Sequence, residues 1–348
     1  ALPNLVVDPV MVATSGDRLL AAEAEAAYED LLAEAALVTP NADEAAVLTG
    51  RDIDEPGDAE AAGHDLVAMG ADAALVKGGH VPGDAVVDVL VTESSVTEFR
   101  HERVDTAATH GSGCTLSAAV ATRLAHGDDL RDAVGAGIDL LARAVRYNVD
   151  VGEGPGAVHH TVELRDAAAR DRTSEAVENV VSAFVAANVR PLVPEGGMAV
   201  VGATPYAEGP GDVAGVEGRI ARTVDGVRPN RGVRFGVSAR AARRLLAVRE
   251  HDPACRFGVT CRLDDAVTDA LAELDGPVAA YEPAAAPEDV TDDALVEWGV
   301  DDALDGVESG PAAVVERDAV GREGSATVLG PDAETVSARV ERLLEAVE

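Results

Sequence analysis

The sequence predicts an α/β protein of two domains, in which short buried strands alternate with helices. Short apolar runs such as residues 5–7 and 73–77 are typical of buried strands, and the segments between them place Ala and Leu at helical spacing. The chain has 348 residues, which is enough for two ordinary domains. Alternation of this kind indicates a parallel, doubly wound sheet, and such sheets bind ligands at the carboxyl ends of their strands.

The first domain, residues 1–162, contains most of this alternation. Its predicted strands cover residues 5–7, 36–39 and 73–77, followed by a hairpin of residues 84–92 and 95–100. Its predicted helices cover residues 17–35, 42–48, 59–69, 114–124 and 130–147. Asn41 is a natural N-cap for the second of these helices, and Gly70 ends the third.

Residues 163–172 are polar, and we expect them to link the first domain to a second domain at 173–348. The second domain is also predicted to be α/β, because short apolar segments alternate there with charged helices. Its predicted helices cover residues 174–187, 239–249 and 333–347.

The composition limits the partners that this protein can have. The net charge is −35, the acidic residues are spread along the whole chain, and Lys77 is the only lysine. This composition is typical of a soluble protein in a salt-rich cytoplasm, where salt screens the repulsion between like charges. It argues against nucleic acid or an anionic membrane as a partner. No apolar run is long enough to span a membrane and no secretion signal opens the chain, so we expect a cytoplasmic protein.

The three cysteines, Cys114, Cys255 and Cys261, make no plausible disulfide framework. Cys255 and Cys261 lack the close paired spacing of a zinc site, so we expect buried or free thiols there.

The stretch Thr109-His110-Gly111-Ser112-Gly113-Cys114-Thr115-Leu116-Ser117 is the strongest candidate for a binding loop. Its glycines allow a sharp turn that directs successive N–H groups to one point, and the following helix adds unpaired amides and the positive end of its dipole. We interpret Gly111, Ser112, Gly113 and Cys114 as an anion hole for a transferring phosphoryl group, with Cys114 as the candidate general base. The alternative is a glycine-rich turn that only begins a core helix beside an inert cysteine.

Polar residues follow three of the predicted strands. A buried carboxylate such as Asp8 is costly at a strand end unless it binds a metal or a substrate hydroxyl, although it could also cap a helix or loop. Asn41 and Glu44 could hold the water around Mg²⁺, or they could form a capping box, which has the same spacing. Lys77 precedes two glycines, and its position in a chain otherwise free of lysine indicates a compact charge near phosphate. Together these residues favour phosphoryl transfer.

The chain starts at Ala1 rather than at Met and enters a predicted buried strand at once. We therefore expect that the N-terminal part of the first domain is missing from this chain.

In this order, the motifs closely resemble the hydroxymethylpyrimidine/phosphomethylpyrimidine kinases of thiamine biosynthesis, which belong to the ribokinase-like superfamily. The residues that carry the resemblance are Asp8-Pro9-Val10-Met11 through Ser15-Gly16-Asp17, Thr39-Pro40-Asn41-Ala42-Asp43-Glu44, Val76-Lys77-Gly78-Gly79-His80, His110-Gly111-Ser112-Gly113-Cys114-Thr115-Leu116-Ser117-Ala118-Ala119 and Gly154-Pro155-Gly156-Ala157-Val158-His159-His160. Ribokinase-like relatives commonly carry Asp where this loop has Cys114, and the cysteine is typical of the pyrimidine kinases.

The resemblance implies a ribokinase-like, doubly wound sheet and ATP-dependent phosphorylation of hydroxymethylpyrimidine or its phosphate, with ATP and Mg²⁺ as cofactors. The implied catalytic residues are Cys114, Gly111, Ser112 and Gly113. The implied ATP and phosphate ligands are Lys77, Asn41 and Glu44. The implied metal ligands are Asp8 and Glu44. The N-terminal strands of these kinases, which hold most of the pyrimidine pocket, have no counterpart in this sequence. We expect small-molecule substrates as partners and a homo-oligomer.

From about residue 173 onward, the sequence resembles a thiamine-phosphate synthase domain of the ThiN type, often fused behind this kinase in archaea. The matching stretches are Pro194-Glu195-Gly196-Gly197, Asp212-Val213-Ala214-Gly215-Val216-Glu217-Gly218-Arg219-Ile220, Phe235-Gly236-Val237-Ser238, Asp252-Pro253 with Arg256, Glu282-Pro283 and Gly321-Arg322-Glu323-Gly324. The candidate ligand residues of this domain are Arg219, Ser238, Arg240, Arg256 and Glu282. Together with the acidic composition, the resemblance indicates a haloarchaeal protein.

The active synthases resembled here carry a histidine shortly after the Gly-x-Ser stretch and an arginine before Glu-Pro. This chain has Ala239-Arg240 and Val278-Ala279-Ala280-Tyr281 at these places. We therefore expect a kinase whose second domain is a synthase-like ligand-binding or regulatory module. The alternatives are a bifunctional kinase and synthase, and a non-catalytic sensor of thiamine phosphate.

Overall fold

The computed structural model describes residues 4–11, 28, 30–79, 81, 83–149, 151–154, 156–291, 294–307 and 309–348. The chain divides into two compact units, Ala1–Val162 and Glu163–Glu348. Each unit has its own sheet and its own helices.

The first unit contains a five-stranded sheet whose strands follow chain order. These strands are β1 (Val6–Val7), β2 (Leu37–Val38), β3 (Ala73–Val76), β4 (Ala85–Thr92) and β5 (Val96–Glu102). The first three strands are parallel, whereas β4 is antiparallel to both β3 and β5. The hairpin predicted at 84–92 and 95–100 is confirmed as β4 and β5, and it adds two antiparallel strands to the parallel part of the sheet. The connections at 77–84 and 93–95 are too short for the crossover that a parallel pair requires.

Helices cover both faces of this sheet, as predicted. They are α1 (Ala42–Thr49), α2 (Pro56–Ala68), α3 (Ser112–His126) and α4 (Leu130–Arg146). Alternate strand residues enter different cores, so that Val76 packs with Leu66 of α2 and Leu75 packs with Leu116 of α3. Helix α2 begins earlier than predicted because Pro56 occupies its first turn, where a missing N–H costs nothing. The helix predicted at 17–35 lies largely outside the described residues.

The second unit contains a seven-stranded mixed sheet in the order β10-β7-β6-β11-β14-β13-β12, beside a two-stranded ribbon of β8 and β9. Its strands are β6 (Val200–Ala203), β7 (Val213–Val216), β8 (Ile220–Arg222), β9 (Val227–Pro229), β10 (Val233–Phe235), β11 (Phe257–Arg262), β12 (Val278–Tyr281), β13 (Ala313–Glu316) and β14 (Ser325–Gly330). Its helices are α5 (Val162–Ala187), α6 (Ala239–His251), α7 (Asp265–Leu271), α8 (Leu295–Leu304) and α9 (Ala333–Val347).

Residues 163–172, the segment expected to link the domains, lie within helix α5. The stretch contains neither Gly nor Pro and is rich in Ala, Arg and Glu, which favour helix. Asp166 is buried and accepts hydrogen bonds from Thr204 Oγ1 at 3.0 Å and from the Tyr206 amide at 2.9 Å. These contacts attach the start of α5 to the second unit.

Among the helices that the structure describes, none combines the length and the apolar character that a membrane span requires.

Candidate functional site

The glycine loop of the first unit ends at the first turn of helix α3. Gly111 is the N-cap and adopts a left-handed conformation with φ of +83°, which glycine tolerates best. The Ser112 amide donates to Thr109 O at 3.1 Å, and the Thr115 amide donates to Gly111 O at 2.9 Å. The amides of Gly113 and Cys114 lie between them, in the turn where an α-helix supplies no acceptor. These two amides are therefore the donors that this loop can direct to an anion.

The side chains that follow three parallel strands lie at the carboxyl end of the sheet. Asp8, Thr39 and Lys77 each follow directly after the last residue of β1, β2 and β3. Lys77 Nζ lies 3.0 Å from Asp8 Oδ1, and Thr39 Oγ1 donates to the same oxygen at 3.3 Å. The Asp8 and Lys77 side chains are each 13% exposed, so this ion pair is largely withdrawn from water but still accessible.

The ion pair and the glycine loop meet at Gly113. A Cβ atom built on Gly113 would lie 3.0 Å from Lys77 Nζ and 3.1 Å from Asp8 Oδ2. The absence of a side chain at Gly113 therefore allows the pair to lie against the first turn of α3. Three of the residues predicted from separate motifs thus come together at the start of this helix.

Asn41 and Glu44 form the capping box of helix α1. The Asn41 side chain accepts from the Glu44 amide at 2.8 Å, and Glu44 Oε2 accepts from the Asn41 amide at 2.8 Å. Burial raises the pKa of Glu44, while the hydrogen bond from Asn41 and the charge of Lys77 act in the opposite direction. The structural alternative is therefore realised, and Glu44 also lies within electrostatic reach of Lys77 and Asp8.

This arrangement fits Mg²⁺ when substrate phosphates complete its coordination. Within the described residues, no group of three or more His, Cys, Asp or Glu side chains could hold a metal ion. Mg²⁺, however, is usually held by one or two carboxylates together with phosphate oxygens and water. Asp8, which lies against Gly113, and Glu44, which interacts electrostatically with Asp8, could supply two such carboxylates. Phosphate oxygens and water would have to supply the remaining ligands.

Sequence reasoning missed the residues that support the turn after Lys77. The Gly78 amide donates to Asp88 Oδ1 at 2.8 Å, and Asp88 Oδ2 lies 3.4 Å from His101 Nε2. The hydrogen bond that His101 donates to Asp88 raises the pKa of His101, and burial acts in the opposite direction. Arg103 donates from its three nitrogens to the carbonyls of Gly79, Val81 and Gly83. The signal available in the sequence was Asp88, an acid in the middle of an otherwise apolar strand.

The three cysteines differ in accessibility. Cys114 is exposed in the first turn of α3, whereas Cys255 and Cys261 are buried in the second unit. Burial raises the pKa of Cys255 to about 11 and that of Cys261 to about 12. The expectation of buried or free thiols at these two positions is confirmed, and Cys114 is the accessible thiol.

The candidate ligand residues of the second unit make separate contacts within the protein. Arg219 donates to Gly196 O at 2.9 Å, and Arg256 donates to Ala203 O at 3.0 and 3.1 Å. Ser238 is the N-cap of α6 in a left-handed conformation and donates to Val216 O at 3.1 Å.

Glu282 lies 3.9 Å from Arg317, and Arg240 pairs with Glu316. Each of the candidate arginines therefore already has an acceptor within the protein.

A buried ion pair that the sequence did not reveal connects α6 to the sheet. Arg244 is 2% exposed and Glu316 is 3% exposed, and they form a direct ion pair. Arg244 also donates to Thr327 Oγ1 at 2.8 Å and to the Tyr281 hydroxyl at 3.3 Å. Glu316 is the last residue of the otherwise apolar strand β13. A carboxylate at that position is the sequence feature that could have indicated a buried ion pair.

The two halves of the chain match two different families. Residues 1–159 match the family described as phosphomethylpyrimidine kinase, and residues 176–342 match the family described as thiamine-phosphate synthase ThiN. The hydroxymethylpyrimidine/phosphomethylpyrimidine kinase of Rhizobium meliloti is 46% identical over 160 residues, which are 44% of this chain and 60% of the relative. The thiamine biosynthesis bifunctional protein ThiED of Geobacter sulfurreducens is 38% identical over 169 residues, which are 48% of this chain and 34% of that protein.

A crystal structure described as the C-terminal domain of phosphomethylpyrimidine kinase is 28% identical to this chain. The alignment covers 49% of this chain and 98% of that one, with a TM-score of 0.48. The chain spans about 60% of the length of the Rhizobium kinase that it matches.

Proposed function

We propose that this chain, in which a domain of the phosphomethylpyrimidine kinase family precedes a domain of the ThiN family, phosphorylates hydroxymethylpyrimidine phosphate with ATP. The observation that carries the proposal is the contact of the Asp8–Lys77 pair with Gly113 at the start of α3. This contact brings a cation and a carboxylate to the amides of Gly113 and Cys114, which have no acceptor among the described residues. Phosphoryl transfer depends on such positioning and charge neutralisation.

Each residue has a role that follows from its place. Lys77, a compact cation fixed by Asp8, would neutralise charge on the ATP phosphates. The amides of Gly113 and Cys114 would hydrogen-bond the oxygens of the transferring phosphoryl group. The exposed thiol of Cys114 would accept the proton of the pyrimidine hydroxyl.

We propose further that Asp8 and Glu44 hold Mg²⁺, in part through water. When bound, the ion would supply positive charge against the phosphates of ATP. Asn41 keeps the Glu44 carboxylate in place through the capping box, so that the structural and functional interpretations of this motif are compatible.

Turnover of hydroxymethylpyrimidine phosphate by the full chain tests the kinase proposal. We expect ATP- and Mg²⁺-dependent formation of the diphosphate, measured by chromatography. Cys114→Ala should abolish turnover while leaving ATP binding nearly intact, and Thr122→Ala, an exposed change on the same helix, should leave turnover unchanged. A Cys114→Ala chain that turns over normally would remove Cys114 as the base. A wild-type chain that forms no diphosphate under these conditions would refute the kinase proposal.

For the second domain we propose a ligand-binding or regulatory role towards a phosphate of the thiamine pathway. The chain has Ala239-Arg240 and Val278-Ala279-Ala280-Tyr281 where the synthases that it resembles carry a histidine and an arginine, which supports this role over catalysis. A synthase that expels pyrophosphate needs cations directed to the developing charge. Altered kinase kinetics on addition of thiamine phosphate would support regulation. Pyrophosphate release that depends on thiazole phosphate would instead support a bifunctional enzyme.

The acidic composition supports a salt-rich cytoplasm as the setting and small molecules as the partners of this protein, as well as the haloarchaeal character. We also propose that the chain forms a homo-oligomer, which a sedimentation measurement would test.

A further inference from the structure

The last segment of the first unit, residues 156–160, returns to the glycine loop. Ala157 forms an isolated bridge with His110, and the Val158 amide donates to His110 O at 3.3 Å. The two histidines that follow have different surroundings. His159 is buried, whereas His160 is exposed beside the first turn of α3.

The ring of His160 lies against the residues that shape the anion loop. A Cβ atom built on Gly111 would lie 3.5 Å from His160 Cε1. Thr115 Oγ1 lies 3.2 Å from His160 Nδ1, and the same hydroxyl donates to Gly111 O at 2.7 Å. The imidazole edge that contains both ring nitrogens therefore lies next to Gly111.

The hydrogen bonds of Thr115 determine which nitrogen of the ring carries the proton. A hydroxyl has one proton to donate, and Thr115 donates it to Gly111 O. In that arrangement the hydroxyl oxygen accepts from the ring, which assigns a hydrogen to His160 Nδ1. In the neutral ring this leaves Nε2 as a bare acceptor, and Nε2 becomes a donor only when the ring takes up a second proton.

We propose that His160 is a phosphate-binding residue of this site, oriented by Thr115 so that Nε2 hydrogen-bonds an oxygen of a bound polyphosphate. Binding then draws one proton from solvent onto Nε2, because a phosphate oxygen requires a donor there. Among the described residues, the other titratable or charged groups at the loop include Cys114 in the same turn, His110 in the paired segment, and the Asp8–Lys77 pair at Gly113. This inference rests on the proposal that the loop binds phosphate.

Calorimetric titration of the full chain with inorganic pyrophosphate, in buffers of different ionisation enthalpy, measures affinity and proton uptake together. His160→Asn keeps an amide near the position of Nδ1 and leaves nothing at Nε2. We expect about tenfold weaker binding, the size of one charge-assisted hydrogen bond, and less proton uptake than in the wild type. His126→Asn makes the same change at the far end of helix α3 and should change neither quantity.

Two further variants distinguish the contact of His160 with phosphate from the orientation of its ring by Thr115. Thr115→Val should weaken binding by a smaller factor, because the ring remains but is no longer oriented. His160→Gln, which places an amide near the position of Nε2, should recover part of the affinity. If His160→Asn unfolds at a lower temperature than the wild type, His160→Gln serves as the test instead. Nitrogen-15 spectra should show the Nδ1–H form in the free protein and protonation of Nε2 on addition of pyrophosphate.

The results distinguish this inference from the proposed kinase function. Wild-type affinity and proton uptake in His160→Asn would overturn the role of His160. A wild type that binds pyrophosphate but not ATP would contradict the kinase proposal. The comparison of pyrophosphate binding by wild type and His160→Asn would still test the role of His160. A wild type that binds neither would refute both.

Discussion

Lys77 Nζ lies 3.0 Å from Asp8 Oδ1, although the two residues are far apart in the sequence. They meet because β1 and β3 flank β2 in a parallel arrangement, which brings the residues after each strand to one edge of the sheet. In a chain with a net charge of −35, the only lysine is placed where its charge meets a carboxylate and the start of a helix. This pair is the centre of the candidate site.

Replacement of Gly113 by alanine should disrupt the site while preserving the helix. The added Cβ would lie 3.0 Å from Lys77 Nζ and 3.1 Å from Asp8 Oδ2, so the ion pair would have to move. We expect turnover to fall by about tenfold or more, which corresponds to ~1.4 kcal/mol in the barrier, with little change in melting temperature. Gly57 occupies the same position in the first turn of α2, and its Cβ would meet only Glu55 at 3.7 Å. Equal activities of Gly113→Ala and Gly57→Ala would contradict this assignment.

Replacement of Lys77 by arginine should also reduce turnover, although the charge is retained. The ammonium group lies next to Gly113 with a side-chain exposure of 13%, and the larger planar guanidinium does not match that space. We expect weaker ATP binding, measured by calorimetry, and a loss of turnover of about tenfold. Arg103→Lys provides the reverse exchange away from the pair, at a residue that supports the neighbouring turn. Normal ATP affinity in Lys77→Arg would show that a point charge is not required.

Replacement of Glu44 by glutamine should change the pH dependence of stability. Burial raises the pKa of Glu44 above 4.5, so the folded state binds this proton more tightly than the unfolded state does. This group therefore stabilises the fold fully only below pH 4.5, and that contribution is lost as the pH rises through the folded pKa. Glu44→Gln removes the ionisation and retains an acceptor for the Asn41 amide.

The measurement is thermal unfolding of wild type and Glu44→Gln at a series of pH values from below 4.5 upward. As the pH rises, the melting temperature of Glu44→Gln should increase relative to that of the wild type. The substitution should also lower Mg²⁺-dependent turnover. The exposed Glu34→Gln serves as the matched control. A constant difference between Glu44→Gln and wild type at all pH values would argue against a buried, ionising carboxyl.

Removal of one partner of the Arg244–Glu316 pair should destabilise the second unit. Both side chains are nearly inaccessible, so removal of one leaves the other charge buried, at a cost of up to ~3–5 kcal/mol. The ion pair of Glu316 with the partly exposed Arg240 reduces this cost when Arg244 is the residue removed. Arg244→Leu should show this loss in urea unfolding, and the double variant Arg244→Leu with Glu316→Leu should recover much of it. Arg228→Leu, on the exposed side of β9, should change stability little. Additive losses in the double variant would mean that the two charges are not coupled.

Local features of the structure could be predicted because they depend on residues close in sequence. The capping box of Asn41 and Glu44 formed as its spacing predicted, and helix α9 has the predicted bounds. The hairpin of β4 and β5 is also local, because a short turn joins its two strands. The polar segment 163–172 is helical because its residue types favour helix, so polarity alone does not predict local structure.

By itself, the sequence determined the alternation of strands and helices, the cap of α1 and the identity of the motifs, since each follows from spacing along the chain. Only the tertiary structure decided which motifs meet. The contact of Asp8, Lys77 and Gly113, the position of His160 beside Thr115, and the Arg244–Glu316 pair all join residues from separate elements. Strand order and helix packing set those distances, and they depend on the burial of apolar side chains throughout each unit rather than on any one motif.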